Sequence, residues 1–222
     1  MHLLKALLII FIFSHSLEAS AQSEESCEDL AGFEKSEIEH RSLYGENALE
    51  ICLKEYEKNP NDAHVNYLLG RAYNGNKKVG KAMEYYLRAN ELGHVDAAAM
   101  IALLHYYEQD HRKYFDWAKT AHEKGSLLGT KYLADAYVEG EGVLSNWDEA
   151  ITLYTQAHSK GLAAASRELA HIYAEGLLGQ EQNTDLANEL WDELKIQGSE
   201  YGWLDQAIFW LQNPKSPRDV EN

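Results

Sequence analysis

Basic residues are scarce. Twenty lysines and arginines stand against 36 aspartates and glutamates, a formal net charge of −16. Such a chain repels phosphate backbones, which argues against a nucleic-acid partner. It repels anionic membrane surfaces for the same reason. Long apolar runs are missing beyond the first residues, so no later segment is suited to span a membrane. Cysteine is limited to Cys27 and Cys52, and no Cys-x-x-Cys pair or nearby histidine pair completes a metal site with them. The sequence also lacks His-Glu-x-x-His, Gly-x-Ser-x-Gly and Ser-x-x-Lys, the arrangements that carry zinc hydrolysis and serine acyl chemistry. The expectation is a protein that is not an enzyme, with no cofactor and no metal.

The start of the chain has its own logic. Lys5 precedes an apolar run from Leu7 to Phe13, and Ala19-Ser20-Ala21 places small residues ahead of Gln22. That order describes a secretory signal peptide over residues 1–21. The run is shorter than the roughly 20 residues a bilayer span needs. The implied location is the periplasm or the extracellular space, with no membrane span after cleavage. Two cysteines in an exported chain suggest a Cys27–Cys52 disulfide, two free thiols being the alternative.

Beyond Pro60 the sequence repeats. Tyr73, Tyr107, Tyr137 and Tyr173 share one phase, and Gly93, Gly125, Gly161 and Gly198 another, at intervals of about 30 to 37 residues. Periods of this size mean stacked supersecondary units. In residues 127–161, Leu133, Ala136 and Tyr137 fall on one helical face. Gly140 and Gly142 break that helix, and Asn146 with Glu149 forms a capping box for the next. Ala150, Ile151, Tyr154 and Ala157 make its apolar stripe, and Gly161 supplies a left-handed end. Tyr86, Trp117, Tyr154 and Trp191 are the expected bulky residues between neighbouring helices.

One stretch offers a rival reading. Residues 75–82, GNKKVGKA, read Gly-x-x-x-x-Gly-Lys. A phosphate loop needs a strand before it and a Ser or Thr after the lysine. Here the helical pattern YLLGRAY precedes and Ala82 follows. In the repeat phase the stretch is an inter-helix turn, its glycines serving that turn. His122 and His158 occupy one repeat position, which predicts packing rather than metal ligation. The carboxylates are scattered in sequence and read as a solvated helical face.

The run Tyr137-x-x-Gly140-x-Gly142-Val143, followed by Asp148, Ala150, Tyr154, Ala157 and Gly161, resembles the Sel1-like repeat. Residues 164–198 keep the pattern, and residues 62–93 resemble the related tetratricopeptide repeat through Leu69-Gly70, Tyr73, Ala82, Tyr86 and Ala89. The resemblance implies an all-α fold, a right-handed α-solenoid of stacked antiparallel helix pairs. Residues 22–45 are expected to form an N-terminal capping helix region. Residues 46–212 hold the repeats and a C-terminal capping helix with Trp203, Ile208, Phe209 and Trp210, and residues 213–222 a flexible tail.

By the same resemblance the first helices line a groove for a protein or peptide partner. Carrying the register across gives His64, Tyr67, Arg71 and Asn74, then Ala98, Ile101, His105 and Glu108. The later units give Lys131 and Asp135, then Arg167 and His171. Arg71, Lys131 and Arg167 would then meet carboxylates of an acidic partner segment. The alternatives are a structural subunit of an envelope or secretion complex, and an enzyme acting on β-lactams, as implied by cysteine-rich Sel1-like relatives. Those carry a cysteine pair in most units, whereas this chain has one pair.

Overall fold

A computed structural model of the protein describes residues 26–31 and 46–213. The expectations for residues 1–21, for most of the capping region 22–45, and for the tail beyond Asn213 lie outside the described residues. Among the described residues all regular structure is helical. The elements are α1 (Cys27–Ala31), α2 (Glu46–Lys58), α3 (Ala63–Gly75), α4 (Val79–Glu91), α5 (Ala97–Tyr107), α6 (His111–Glu123), α7 (Leu127–Glu139), α8 (Trp147–Ser159), α9 (Ala163–Glu175), α10 (Thr184–Ile196) and α11 (Glu200–Gln212). α1 packs most closely on α3, the other helices pack most closely on their chain neighbours, and α3/α4, α5/α6, α7/α8 and α9/α10 form the tightest pairs. This is an all-α solenoid of helix pairs.

Several of these helices start at side-chain caps that are visible in the sequence. Asp62 accepts from the backbone N–H groups of His64 and Val65 at 2.8 and 2.9 Å. Ser126, Asn146 and Asn183 each accept from the N–H three residues on, at 2.9, 3.2 and 3.0 Å. These bonds satisfy amides that have no partner within the helix. The second helices end at Gly93, Gly125, Gly161 and Gly198, all with positive φ, where a side chain would be strained.

The turn at GNKKVGKA is confirmed, but its glycines do not make it. Lys77 takes the left-handed conformation at φ 58°, while Gly75 closes α3 and Gly80 sits in α4. A Cβ on Gly80 would meet nothing. The preceding element is a helix, so the strand that a phosphate loop requires is not there.

Packing between paired helices follows a volume rule. Counting from each cap, Gly70 faces Tyr86. Ala134 and Tyr154, then Ala170 and Trp191, hold the same two register positions in later units. The pair α5/α6 inverts the rule. Leu104 takes the small position and Ala118 the large one, and Tyr114, one turn earlier, is the aromatic in the core. Trp117, expected to fill that role, is only partly buried and packs where the apolar clusters of the two halves meet. The two histidines at one repeat position pack as expected. His122 Nδ1 lies 3.0 Å from the Thr130 hydroxyl and His158 Nδ1 2.8 Å from that of Ser166.

The closing helix α11 differs from the expected cap. Phe209 is buried and Trp210 packs on the core. Trp203, Leu204, Ile208 and Leu211 are exposed. Among the described residues, α11 is the last helix, and these side chains leave one of its faces apolar.

Candidate functional site

The first helices α3, α5, α7 and α9 carry the groove positions inferred from register, and the structure treats the two halves differently. Tyr67, Arg71, Ala98 and Ile101 are buried. Tyr67 stacks against the His94 ring with centroids 4.0 Å apart, and the Arg71 guanidinium lies 6.0 Å from the Tyr67 ring. The reason for Ile101 is that α5 is apolar almost all round, with Ala97 to Ala102 and Leu104 buried. Such a helix belongs in the interior. Arg71, Ala98 and Ile101 are therefore not part of an open face. Asn74 is half-buried near the end of α3, and His105 pairs with the exposed Glu108 at 3.1 Å.

In the second half the inferred residues reach the surface, but with partners of their own. Arg167 makes a two-pronged contact with Asp205 of α11 at 2.5 and 3.1 Å, and His171 reaches the same carboxylate at 3.3 Å. Burial works against ionised Asp205, yet Arg167 and then His171 hold its carboxyl below the ordinary value. Lys131 pairs with Asp135 at 2.8 Å and with Glu168 at 3.5 Å. The three cations expected to await a partner's carboxylates are thus one buried and two already paired with acids of this chain.

Between α5, α7 and α9 lies an open cavity of about 350 Å³. Tyr106, Tyr114, Tyr132 and Tyr154 supply its aromatic lining, and Asp135, Glu139, Glu141 and Glu168 its acids. The Tyr154 hydroxyl donates to Asp135 at 2.6 Å, and that of Tyr114 donates to the Tyr132 carbonyl at 2.9 Å. Burial pushes the Tyr114, Tyr132 and Tyr154 phenols above the ordinary range, and the Asp135 charge adds to it. All three stay neutral, and Tyr114 and Tyr154 serve as donors. Sequence reasoning found Lys131 and Asp135 but missed the tyrosines and the other carboxylates. The spacing of Asp135 and Glu139 by four was the available signal; nothing in sequence tied Glu141 or Glu168 to them.

A second cavity, of about 430 Å³, opens near the starts of α3, α5 and α7. Leu68, Val95, Leu127, Leu128 and Leu162 make it mainly apolar, and His64, His94 and Glu28 stand at its edge. Their protons can be assigned. The Asp96 N–H donates to His94 Nδ1 at 3.3 Å, so that nitrogen is unprotonated. His94 Nε2 then donates to His64 Nδ1 at 3.2 Å, which leaves the His64 Nε2–H facing Glu28. Burial, and then the neighbouring His64, lower the His94 pKa below its ordinary 6.5, against the pull of Asp96, Asp62 and Glu28.

The sign of the resulting pH dependence follows. With a depressed folded value, the unfolded chain takes up the proton first as pH falls. The stabilising contribution of neutral His94 is complete above about pH 6.5 and is lost as pH drops toward the folded value. His94→Gln should therefore flatten the loss of urea stability between pH 7 and 5, relative to the parent. Parallel curves for the two proteins would exclude this role.

Among the described residues no group of three histidine, cysteine or acidic side chains is placed to hold a metal, and no helix is long and apolar enough to cross a membrane.

Helix pairs stacked on their neighbours make this an α-solenoid repeat protein. Within that class, the fold is that of the Sel1-like repeats. The chain superposes on a Sel1 repeat protein from Oxalobacter formigenes with a TM-score of 0.59 at 25% identity, covering 68% of this chain and 64% of that one. It superposes on c5321, a protective antigen present in uropathogenic Escherichia coli strains and displaying an SLR fold, with a TM-score of 0.61 at 24% identity. That match covers 78% of this chain and 38% of the antigen. This chain therefore spans less than two thirds of the length of either structure. No protein-family model matches the sequence, and no curated protein matches it.

Proposed function

We propose that the protein is an exported, non-catalytic interaction scaffold that holds a segment of a partner protein against its first helices. The observation that carries this reading is the open cavity shared by α5, α7 and α9. It spans successive repeat units and is walled by four tyrosines, a residue type enriched at recognition surfaces. Export is supported by the leader-like sequence of residues 1–21 and by the Cys27–Cys52 disulfide, since such bonds persist in oxidising compartments.

A specific feature favours a second reading, an assembly subunit that docks end-on. It is the exposed apolar face of α11, where Trp203 and Leu211 are 68% and 81% exposed. One experiment separates the two: crosslinking with affinity capture from the native envelope, using the parent chain, Tyr106→Ala with Glu168→Gln, and Trp203→Ser with Leu211→Ser. A partner lost with the first pair and kept with the second supports the scaffold. The reverse pattern assigns the contact to α11 and replaces the scaffold by the assembly subunit.

A further inference from the structure

We infer that the cavity between α5, α7 and α9 receives a lysine or arginine side chain from a basic segment of the partner. The inference rests on the scaffold reading and adds the chemistry of what is bound. It opposes the expectation from sequence, which was an acidic segment.

Size sets the first limit. At about 350 Å³ the cavity lies at the lower end of ligand sites, with room for one or two side chains rather than a large cofactor. The walls set the second. Tyr106 and Tyr114 have ring centroids 5.3 Å apart, and Tyr114 and Tyr132 6.4 Å apart. Aromatic faces carry negative potential and attract cations within about 6 Å.

Charge sets the third limit. Four carboxylates line the cavity against one cation, Lys131. Asp135 is taken up by Lys131 and by the Tyr154 hydroxyl. Glu168 reaches the same ammonium only at 3.5 Å. Glu141 faces His111 at 3.2 Å, an ion pair only when the imidazole is protonated. Among the described residues Glu139 makes no salt bridge, and it is exposed. An incoming cation would find Glu139, Glu141 and the free side of Glu168. An incoming carboxylate would have to displace Asp135 or Glu168 from Lys131.

Lys131 itself reports the local potential. Its ammonium sits between two carboxylates and 5.9 Å from the centre of the Tyr132 ring. Burial by itself would lower its pKa, but Asp135 and then Glu168 raise it above the ordinary value. The cavity stabilises a positive charge more than burial penalises it. The net charge of −16 acts in the same direction at long range, steering basic segments toward the protein.

The test uses the purified protein and three fluorescent Gly-Ser peptides, bearing several lysines, several glutamates or neither, followed by anisotropy at two salt concentrations. The lysine peptide should bind and the other two should not. Glu139→Gln with Glu168→Gln should weaken it about tenfold and reduce the salt dependence. Glu149→Gln with Glu189→Gln removes equal charge from the second helices and should change affinity by less than about twofold, as rim charges do. Tyr106→Ala should weaken binding without touching any carboxylate. Lys131→Met should tighten it, because the resident cation leaves its acids to the ligand; circular dichroism checks that the variant is folded. Equal losses from the two glutamate pairs, preference for the glutamate peptide, or weaker binding by a folded Lys131→Met would each overturn the inference. The scaffold reading fails separately. A captured native partner that is retained by the Glu139 and Glu168 variant and not displaced by the lysine peptide leaves the scaffold intact and removes the cationic ligand. Capture of no partner by the parent chain removes the scaffold and leaves the peptide result to stand on its own.

Discussion

Tyr86→Ala is expected to destabilise the N-terminal half by about 3–5 kcal/mol, and adding Gly70→Leu is expected to recover part of that loss. Tyr86 is buried against Tyr67, with ring centroids 6.0 Å apart. A Cβ placed on Gly70 would come within 2.6 Å of the Tyr86 ring, so the aromatic fits only because its neighbour has no side chain. Gly70→Leu alone should overpack the pair and cost about 1–3 kcal/mol. Together the two changes reproduce the arrangement at α5/α6, where Leu104 and Ala118 hold the same register positions. A double-mutant cycle should give a favourable coupling of about 1–3 kcal/mol.

The measurement can be made specific to one half. All five tryptophans, Trp117, Trp147, Trp191, Trp203 and Trp210, follow α5 in the chain, while the apolar cluster around Tyr86 is built mainly from α1 to α5. Repeat arrays unfold by nearest-neighbour terms rather than as one unit. In urea, the transition seen by circular dichroism should shift toward lower denaturant while the tryptophan signal moves less. Strictly additive costs would mean that positions 70 and 86 do not face each other as described.

Where the sequence was legible, the reason is that one local period carried all the information. In α8, the cap Asn146, the stripe Ala150, Ile151, Tyr154 and Ala157, and the closing Gly161 each sit where the periodicity puts them; Ala150, Tyr154 and Ala157 are buried and Ile151 packs partly buried against the core. At α6 the period misled, because the exchange of Tyr114 and Ala118 keeps the core volume while moving the aromatic by one turn. Trp117 looked like the periodic residue only because it is large. The groove was harder still. Tyr67 and Ile101 share a register with Lys131 and Arg167, yet their burial depends on which neighbouring helices press on them. The cavity was the least legible feature. Asp135, Glu139, Glu141 and Glu168 come from two units and a loop, and only the stacking of one helix pair on the next gathers them.

Removing the disulfide by Cys27→Ala with Cys52→Ala is expected to cost about 3 kcal/mol in the chain-entropy account, given the separation of 25 residues that the bond closes. The helix it holds has little else of its own. α1 has five residues, too few to persist alone in water. Ser26 and Asp29 cap it reciprocally: the Ser26 N–H donates to Asp29 at 2.9 Å and the Asp29 N–H donates to the Ser26 hydroxyl at 3.1 Å. Its tie to α2 is the disulfide together with the Cys27 N–H donating to Glu55 at 2.8 Å. Its ties to α3 are Glu28 against His64 and the burial of Cys27 and Ala31 in the apolar cluster that α3 shares. Without the covalent bond, α1 should detach, and with it the acidic end of the chain of imidazoles that begins at Asp96. Hydrogen exchange should then quicken in α2 and α3 while α8 to α11 keep their protection, because their apolar cluster does not include α1. Alkylation of the native parent should find both thiols blocked. Two reactive thiols in the native protein, or equal urea midpoints for the parent and the double variant, would show that the bond does not hold this end of the solenoid.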